Sequence, residues 1–204
     1  MYIEKTAYYL GVRSEEPNQA LGKSLADDNN EAGIKEMIDH LYDKNKSLAS
    51  DCLKVVYEAS YHNPKLIVNY LETFIDLLNS KNNRMVWGAM IAISSIAGIA
   101  PSLVHPYKGL IKEKIETGTV ITSVHGVQTL IKIAHDKDYY KEYIDELFDI
   151  LKNTRPVDFP KRAELMISML NPADHEQFTQ IIYSREPELS NAGIKRIKKA
   201  LKKL

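Results

Sequence analysis

The chain has 204 residues, of which 44% are hydrophobic and 26% charged, and its 27 basic residues balance its 27 acidic ones. This composition is typical of a folded globular protein and excludes a disordered chain. It also lacks the basic excess that is typical of nucleic-acid-binding domains. The single cysteine, Cys52, cannot form an internal disulfide, and no secretory leader pattern opens the sequence. We therefore expect a reducing, cytoplasmic location.

The first thirty residues do not clearly follow the sequence repeat that begins at about residue 31. The segment from Glu16 to Ala26 nevertheless has apolar residues at helical spacing. We therefore predict an irregular N-terminal helical cap over residues 1–30. The acidic run 27–31 lacks the alternating ligand spacing and the glycine of a calcium loop. It is predicted to be a solvated turn that caps a helix.

From residue 31 onward, apolar residues recur at helical spacing and a small residue returns every 37 positions, at Cys52, Ala89 and Gly126. The pattern returns again at Ala163 and Gly193, and no segment shows sustained strand alternation. One helix pair cannot bury its apolar stripe alone, whereas stacked pairs share a continuous core. The sequence therefore predicts an all-α protein of about five antiparallel helix pairs within one domain, 1–204. The predicted pairs span about 31–62, 64–99, 101–136, 138–171 and 172–204.

The stretch from Met85 to Tyr107 contains no Lys, Arg, Asp or Glu and is long enough to cross a membrane. It also contains Gly98, Pro101 and Pro106, and its apolar residues follow helical spacing. These features indicate a buried central helix rather than a membrane span. Pro101 is predicted to begin the first helix of the third pair, because proline is well tolerated in the first turn of a helix.

The segment 77–93, LLNSKNNRMVWGAMIAI, has paired leucines, a polar turn, and then a valine and an alanine in the following helix. In these features the chain resembles HEAT-repeat proteins of the HEAT and armadillo superfamily. It differs from the usual pattern by having Asn82 or Asn83 where the family has aspartate, and Trp87 where the family has arginine.

The resemblance covers about residues 31–204 and implies a right-handed, armadillo-like α-solenoid. In that family the second helices line a concave surface, which is the usual binding face. Positions close to the small repeat residue on the second helix of each pair should face this groove. The residues at these positions are mostly polar or charged. The predicted groove residues are Asp51, Lys54, Arg84, Trp87, His125, Gln128, Lys132 and Arg162.

Motifs for catalysis and metal binding are absent: there is no phosphate-binding glycine loop, HExxH, CxxC or G-x-S-x-G. The six histidines are scattered, and no two have the i, i+4 spacing that places metal ligands on one helix face. The sequence therefore predicts no catalytic residue, no metal site and no cofactor.

The last ten residues hold six cations and no acid, which leaves 21 cations and 27 acids in residues 1–194, a formal charge of −6. Apolar residues in this tail fall on one helix face, as in a basic amphipathic helix. It is either the polar outer face of a terminal repeat or a site for an anionic partner, a nucleic acid or a membrane. The tail cations are Lys195, Arg196, Lys198, Lys199, Lys202 and Lys203.

Two functional hypotheses follow. The leading one is a non-enzymatic interaction or scaffold module that presents a concave groove to another protein. The alternative is a nucleic-acid-binding DNA glycosylase of the HEAT-like alkylation-repair type, because the resemblance permits Trp87, Arg162 and Asp51 to share one groove. The charge of −6 outside the tail disfavours the second hypothesis. The identity of the partner and the oligomeric state are left open.

Overall fold

The structure is a computed structural model that describes all residues 1–204, and every regular element in it is helical. The predicted all-α class is therefore confirmed. The α-helices are α1 (Glu16–Asp27), α2 (Glu31–Asp39), α3 (Lys46–His62), α4 (Leu71–Leu77), α5 (Asn83–Ala97), α6 (Pro101–Val104), α7 (Lys108–Thr117), α8 (Val120–Ala134), α9 (Lys137–Lys152), α10 (Phe159–Ile167), α11 (His175–Arg185) and α12 (Asn191–Leu201). Short 3-10 helices cover Ile3–Lys5, Pro64–Tyr70, His105–Tyr107, Pro172–Asp174 and Glu186–Glu188.

Two compact units make up the chain, Met1–Thr129 and Leu130–Leu204. In the first unit α3 packs against α1, α2 and α5, and α4 packs against α5. In the second unit α10 packs against α9 and α12, and α9 packs against α11. The helices after α1 lie within one residue of the predicted pair ranges. The single domain and the right-handed solenoid stay predictions.

Helices α3 and α5 run parallel at a constant register in the first unit. Ser50 Oγ lies 3.9 Å from Met85 Sδ, and Ser60 Oγ donates a 2.9 Å hydrogen bond to Ser95 Oγ; both pairs are 35 residues apart. Between them, Leu53 occupies the space in front of Gly88, where a Cβ would lie 2.6 Å from Leu53 Cδ2. The two helices therefore approach closely along their whole contact.

Polar caps repeat with the spacing of the small residues. The Asn45 side chain accepts from the backbone N–H groups of Ser47 and Leu48 at 3.1 and 3.2 Å, which caps α3. Asn82, 37 positions later, accepts from Arg84 N at 3.0 Å and caps α5. Thr119, another 37 positions on, precedes α8, and its Oγ1 accepts from Thr122 N at 3.4 Å. Each cap satisfies backbone donors that have no partner within the helix.

The repeat phase correctly identifies core residues of the first unit. Leu53, Met90 and Val127 are 1%, 0% and 1% exposed, and the small residues Cys52 and Ala89 are both fully buried. Most of α5 from Met85 onward is buried, as expected for the charge-free stretch that begins there. No helix combines the length and apolar character needed to cross a membrane.

Helix α1 confirms the helical prediction for residues 16–26 and packs closely on α3. A Cβ at Gly22 would lie 2.7 Å from the carbonyl oxygen of Val55 and 3.0 Å from Ala59 N. Both are backbone atoms, so a larger residue cannot be accommodated by a side-chain rotation. Gly22 therefore sets the distance between the two helices.

We predict that Gly22→Ala lowers the free energy of unfolding by about 1–3 kcal/mol, the usual cost of overpacking a close helix contact. Chemical denaturation followed by circular dichroism measures this value. The matched control is Gly109→Ala in α7, where a Cβ meets nothing within 4 Å. Because alanine has the higher helix propensity, this control should be neutral or stabilise the fold by up to about 0.5 kcal/mol. Equal effects of the two substitutions would contradict the close α1–α3 packing.

Candidate functional site: the Trp87 pocket

A small pocket opens on the first unit where the start of α1 lies against α3 and α5. Its volume is about 100 Å³. We call it the Trp87 pocket, and it is lined by Glu15, Asn18, Ser50, Asp51, Leu53, Lys54, Tyr57, Arg84 and Trp87. Four of the eight predicted groove residues meet here, namely Asp51, Lys54, Arg84 and Trp87.

The aromatic wall of the pocket is fixed by packing between α3 and α5. The Trp87 ring meets the Tyr57 ring edge to face, with centroids 5.8 Å apart and an interplanar angle of 61°. Tyr57 is only 4% exposed, and burial raises the pKa of its phenol to about 12. Trp87 is half-buried, so it packs on one side and remains accessible on the other.

Lys54 carries a charge that is neutralised within the pocket. Its Nζ lies 3.0 Å from Glu15 Oε2 and 2.8 Å from Glu58 Oε1, and 4.8 Å from the centroid of the Tyr57 ring. Burial alone would lower the pKa of Lys54, but the hydrogen bonds with Glu58, Tyr57 and Glu15 outweigh it and raise the pKa. The ammonium group therefore joins α1 to α3 and stays charged.

Asp51 anchors the N-terminal segment. Its Oδ2 accepts a 2.7 Å hydrogen bond from the backbone N–H of Tyr8. Asn45 Nδ2 donates to the Tyr8 hydroxyl at 2.6 Å, and Asn18 Oδ1 accepts from Ala7 N at 2.9 Å. One carboxylate oxygen of Asp51 is therefore engaged in holding residues 7 and 8 in place.

Arg84 is the cation of the pocket that lacks a partner. Its backbone N–H is held by the Asn82 cap, but its exposed side chain makes no ion pair and no hydrogen bond within the chain. Its guanidinium can present five N–H donors to an incoming acceptor. Trp87 follows it by three positions on α5, which places both on one side of the helix.

The remaining predicted groove residues lie outside the Trp87 pocket. His125 and Gln128 are half-buried on α8. Lys132, also on α8, is half-buried, and burial lowers its pKa. In the second unit, Arg162 Nη1 donates a 2.8 Å hydrogen bond to Thr154 Oγ1, and burial lowers the pKa of the guanidinium. Arg162 thus stabilises the turn between α9 and α10.

The basic tail forms α12 and uses its apolar side for packing. Ile197 and Ala200 are 4% and 3% exposed. Arg196 pairs with Glu164 on α10, and Lys198 Nζ lies 3.1 Å from Glu186 Oε1. The amphipathic pattern therefore corresponds to a helix whose apolar face packs within the second unit, although Ile194 and Leu201 are only half-buried.

Cys52 and the acidic side chains form no reactive cluster. Nowhere do three or more His, Cys, Asp or Glu side chains come together in an arrangement that could hold a metal ion. Cys52 is fully buried, and this burial raises the pKa of its thiol to about 12. A thiol with such a pKa is a weak nucleophile at neutral pH.

Sequence reasoning did not assign five lining residues to the Trp87 pocket: Glu15, Asn18, Ser50, Leu53 and Tyr57. Lys54 and Glu58 have the i, i+4 spacing that predicts an ion pair on one helix face. The contact between Glu15 and Lys54 has no comparable signal, because it joins two helices that do not share a repeat phase.

Comparisons with known proteins support the fold class alone. No family model matches the sequence, and no curated protein matches it. Among solved structures, the chain is similar to the crystal structure of an engineered protein from a structural genomics consortium, with a TM-score of 0.56 and 14% identity. The similarity covers 98% of this chain and 95% of that chain. At this identity it shows a shared fold and carries no information on function.

We predict that Lys54→Met lowers the free energy of unfolding by about 1–2 kcal/mol, because it leaves Glu58 largely buried without its cation. The control is Lys23→Met, which removes a lysine paired with Asp27 on the surface of α1. The Lys54 side chain is 12% exposed and that of Lys23 is 58% exposed. The control should therefore change the stability by no more than about 0.5 kcal/mol. Thermal and chemical denaturation measure the stability of both variants. If Lys54→Met were as stable as Lys23→Met, the ion pairs of Lys54 with Glu15 and Glu58 would not stabilise the fold.

Proposed function

We propose that this chain is a HEAT-like, non-enzymatic interaction module that binds another protein through the Trp87 pocket. The observation that carries the proposal is the pairing of a tryptophan fixed by Tyr57 with an exposed, unpaired Arg84 beside it. Tryptophan, tyrosine and arginine are the residues most enriched among those that dominate protein–protein binding energies. A rigid aromatic ring also loses little conformational entropy when a partner binds.

The size of the Trp87 pocket favours a protein partner over a small molecule. Pockets for small ligands and cofactors usually have volumes of about 300–1,000 Å³. A pocket of about 100 Å³ has room for one side chain of a partner. The rest of such a partner would lie across the surface around it.

The charges of the pocket indicate what that side chain carries. Lys54 is neutralised by two carboxylates, so it contributes little net attraction. Arg84 has no internal acceptor, so a partner that supplies a carboxylate or carbonyl oxygen would satisfy it. The proposed contact therefore combines an apolar surface against Trp87 with an acceptor at Arg84.

The repeat spacing supports a HEAT-like arrangement. Contacts between α3 and α5 join residues 35 apart, and caps recur at 37 positions. Tyr42 and Asp76, 34 residues apart, add a 2.7 Å hydrogen bond outside these second helices. In a solenoid of this kind α3 and α5 would line the concave surface, with the Trp87 pocket on it.

The glycosylase hypothesis gains no support from the side chains on which it depended. Asp51 accepts from Tyr8 N, and Arg162 donates to Thr154. Both polar groups therefore have structural partners. We expect no binding of duplex DNA at low salt, whereas a phosphate-binding protein would bind there and weaken steeply as salt is added.

We predict that Arg84→Ala and Trp87→Ala each weaken the binding of the partner by at least about 30-fold, equivalent to about 2 kcal/mol for a residue that dominates an interface. Affinity capture with the wild-type chain and both variants identifies the proteins that depend on the pocket. Calorimetry with the purified partner then measures the affinity. The matched control is Tyr183→Ala, which removes an aromatic residue 59% exposed on α11 and should bind like the wild type.

Arg84 is exposed, so Arg84→Ala should leave the thermal unfolding temperature unchanged. A loss of binding in this variant can therefore not be due to a loss of folding. A set of captured proteins that is identical for all four chains would contradict the proposal. Salt-sensitive DNA binding by the wild-type chain would favour the glycosylase hypothesis instead.

A further inference from the structure

A cavity of about 410 Å³ lies between α10 and α12 in the second unit. We call it the α10–α12 cleft. One wall is formed by the turn before α10 and the first residues of that helix, and the other by the first half of α12. Its lining residues are Pro156, Val157, Pro160, Lys161, Glu188, Ser190, Ala192, Gly193 and Arg196. A volume of this size accommodates several residues of a ligand rather than one side chain.

The charges around the α10–α12 cleft are unbalanced. Three acids are already paired, Glu164 with Arg196, Glu186 with Lys198, and Glu188 with Arg185. Five cations of α10 and the tail remain without an ion pair. They are Lys161, Lys195, Lys199, Lys202 and Lys203.

Cations from both helices converge beside the cleft. The pKa of Glu164 is lowered first by its hydrogen bond with Arg196, and also by the positive charges of Arg196, Lys161 and Lys203. Lys161 belongs to α10, whereas Arg196 belongs to α12. A single carboxylate therefore sits among three cations, and the surroundings of the cleft keep a net positive charge.

The spacing of the α12 cations suits an extended chain. Arg196 and Lys199 lie three positions apart on one side of α12, and Lys203 lies in the turn that directly follows the helix. With a rise of about 1.5 Å per residue, they cover about 10 Å along the axis. An extended peptide spans this length with about three residues.

Other anionic partners fit the same surface less well. A membrane-surface helix inserts an apolar face, but the apolar residues of α12 pack within the second unit, with Ile197 4% exposed and Ile194 and Leu201 half-buried. A phosphate backbone needs a continuous cationic track, whereas Glu164, Glu186 and Glu188 interrupt this surface. The cleft also offers an apolar wall at Val157, which is 79% exposed. This wall suits a peptide side chain.

We propose that the α10–α12 cleft binds an extended acidic segment of a partner protein. Carboxylates of the segment contact Lys161, Lys199 and Lys203, and one apolar side chain packs against Val157. The charge complementarity between the five unpaired lysines and an acidic chain supplies most of the attraction. This surface belongs to the second unit and does not depend on the Trp87 pocket.

The test uses the full chain and a fluorescent peptide made of glutamate with one central valine, compared with the same peptide made of glutamine. Fluorescence anisotropy should show binding of the glutamate peptide that weakens as salt is added, and no binding of the glutamine peptide. The triple variant Lys161→Gln, Lys199→Gln, Lys203→Gln should lose at least about tenfold in affinity. The control with the same change in net charge is Lys23→Gln, Lys35→Gln, Lys65→Gln, which should bind within about twofold of the wild type.

Two further variants separate a shaped cleft from a merely basic surface. Ala192→Trp fills the cleft and Val157→Asn replaces an exposed apolar wall that folding does not need, and neither substitution changes the charge. Both should lose at least about tenfold in affinity while thermal unfolding stays close to that of the wild type.

Three results would overturn the proposal. The glutamate peptide could fail to bind the wild-type chain at low salt, or it could bind the lysine triple variant as tightly as the wild type, or it could bind both cleft variants as tightly as the wild type. Tighter binding of a single-stranded oligonucleotide, or of vesicles containing phosphatidylserine, would assign the surface to those partners instead.

Discussion

The parallel contact between α3 and α5 is the constraint on which the first unit depends. Leu53 fills the space left by Gly88, and the two helices keep a register of 35 residues from Ser50 to Ser95. Because Tyr57 lies one helical turn after Leu53, this register brings its ring against Trp87. The position of the pocket is therefore a consequence of close helix packing and not of a separate binding loop.

The polar residues of the Trp87 pocket serve two purposes. Asp51 holds the N-terminal segment through Tyr8, and Lys54 joins α1 to α3 through Glu15 and Glu58. Their hydrogen-bonding capacity is largely used within the fold, and this rigidifies the pocket. The accessible side of Trp87 and the guanidinium of Arg84 remain for recognition.

The sequence predicts the helical class and the core positions because these depend on local periodicity. Leu53 and Met90 are buried where the repeat phase puts them. Contacts between distant segments carry no such signal, so Glu15 could not be assigned to the pocket. Glu164 follows the small repeat residue Ala163 at a position that is apolar in the earlier repeats, and its carboxylate pairs with Arg196 on α12. Likewise, the uses of Asp51 and Arg162 depend on neighbours that spacing alone does not identify.

The parallel stacking of α3 and α5 is tested most directly by a cross-link between them. In the variant Ser60→Cys, Ser95→Cys, the new thiols replace hydroxyls that lie 2.9 Å apart, so mild oxidation of the folded chain should produce an intramolecular disulfide. In the control Ser47→Cys, Ser95→Cys, position 47 lies about 20 Å along α3 from position 60. We expect rapid cross-linking of the first variant and none of the second on a non-reducing gel. Failure of the first, or equal cross-linking of both, would contradict the parallel stacking.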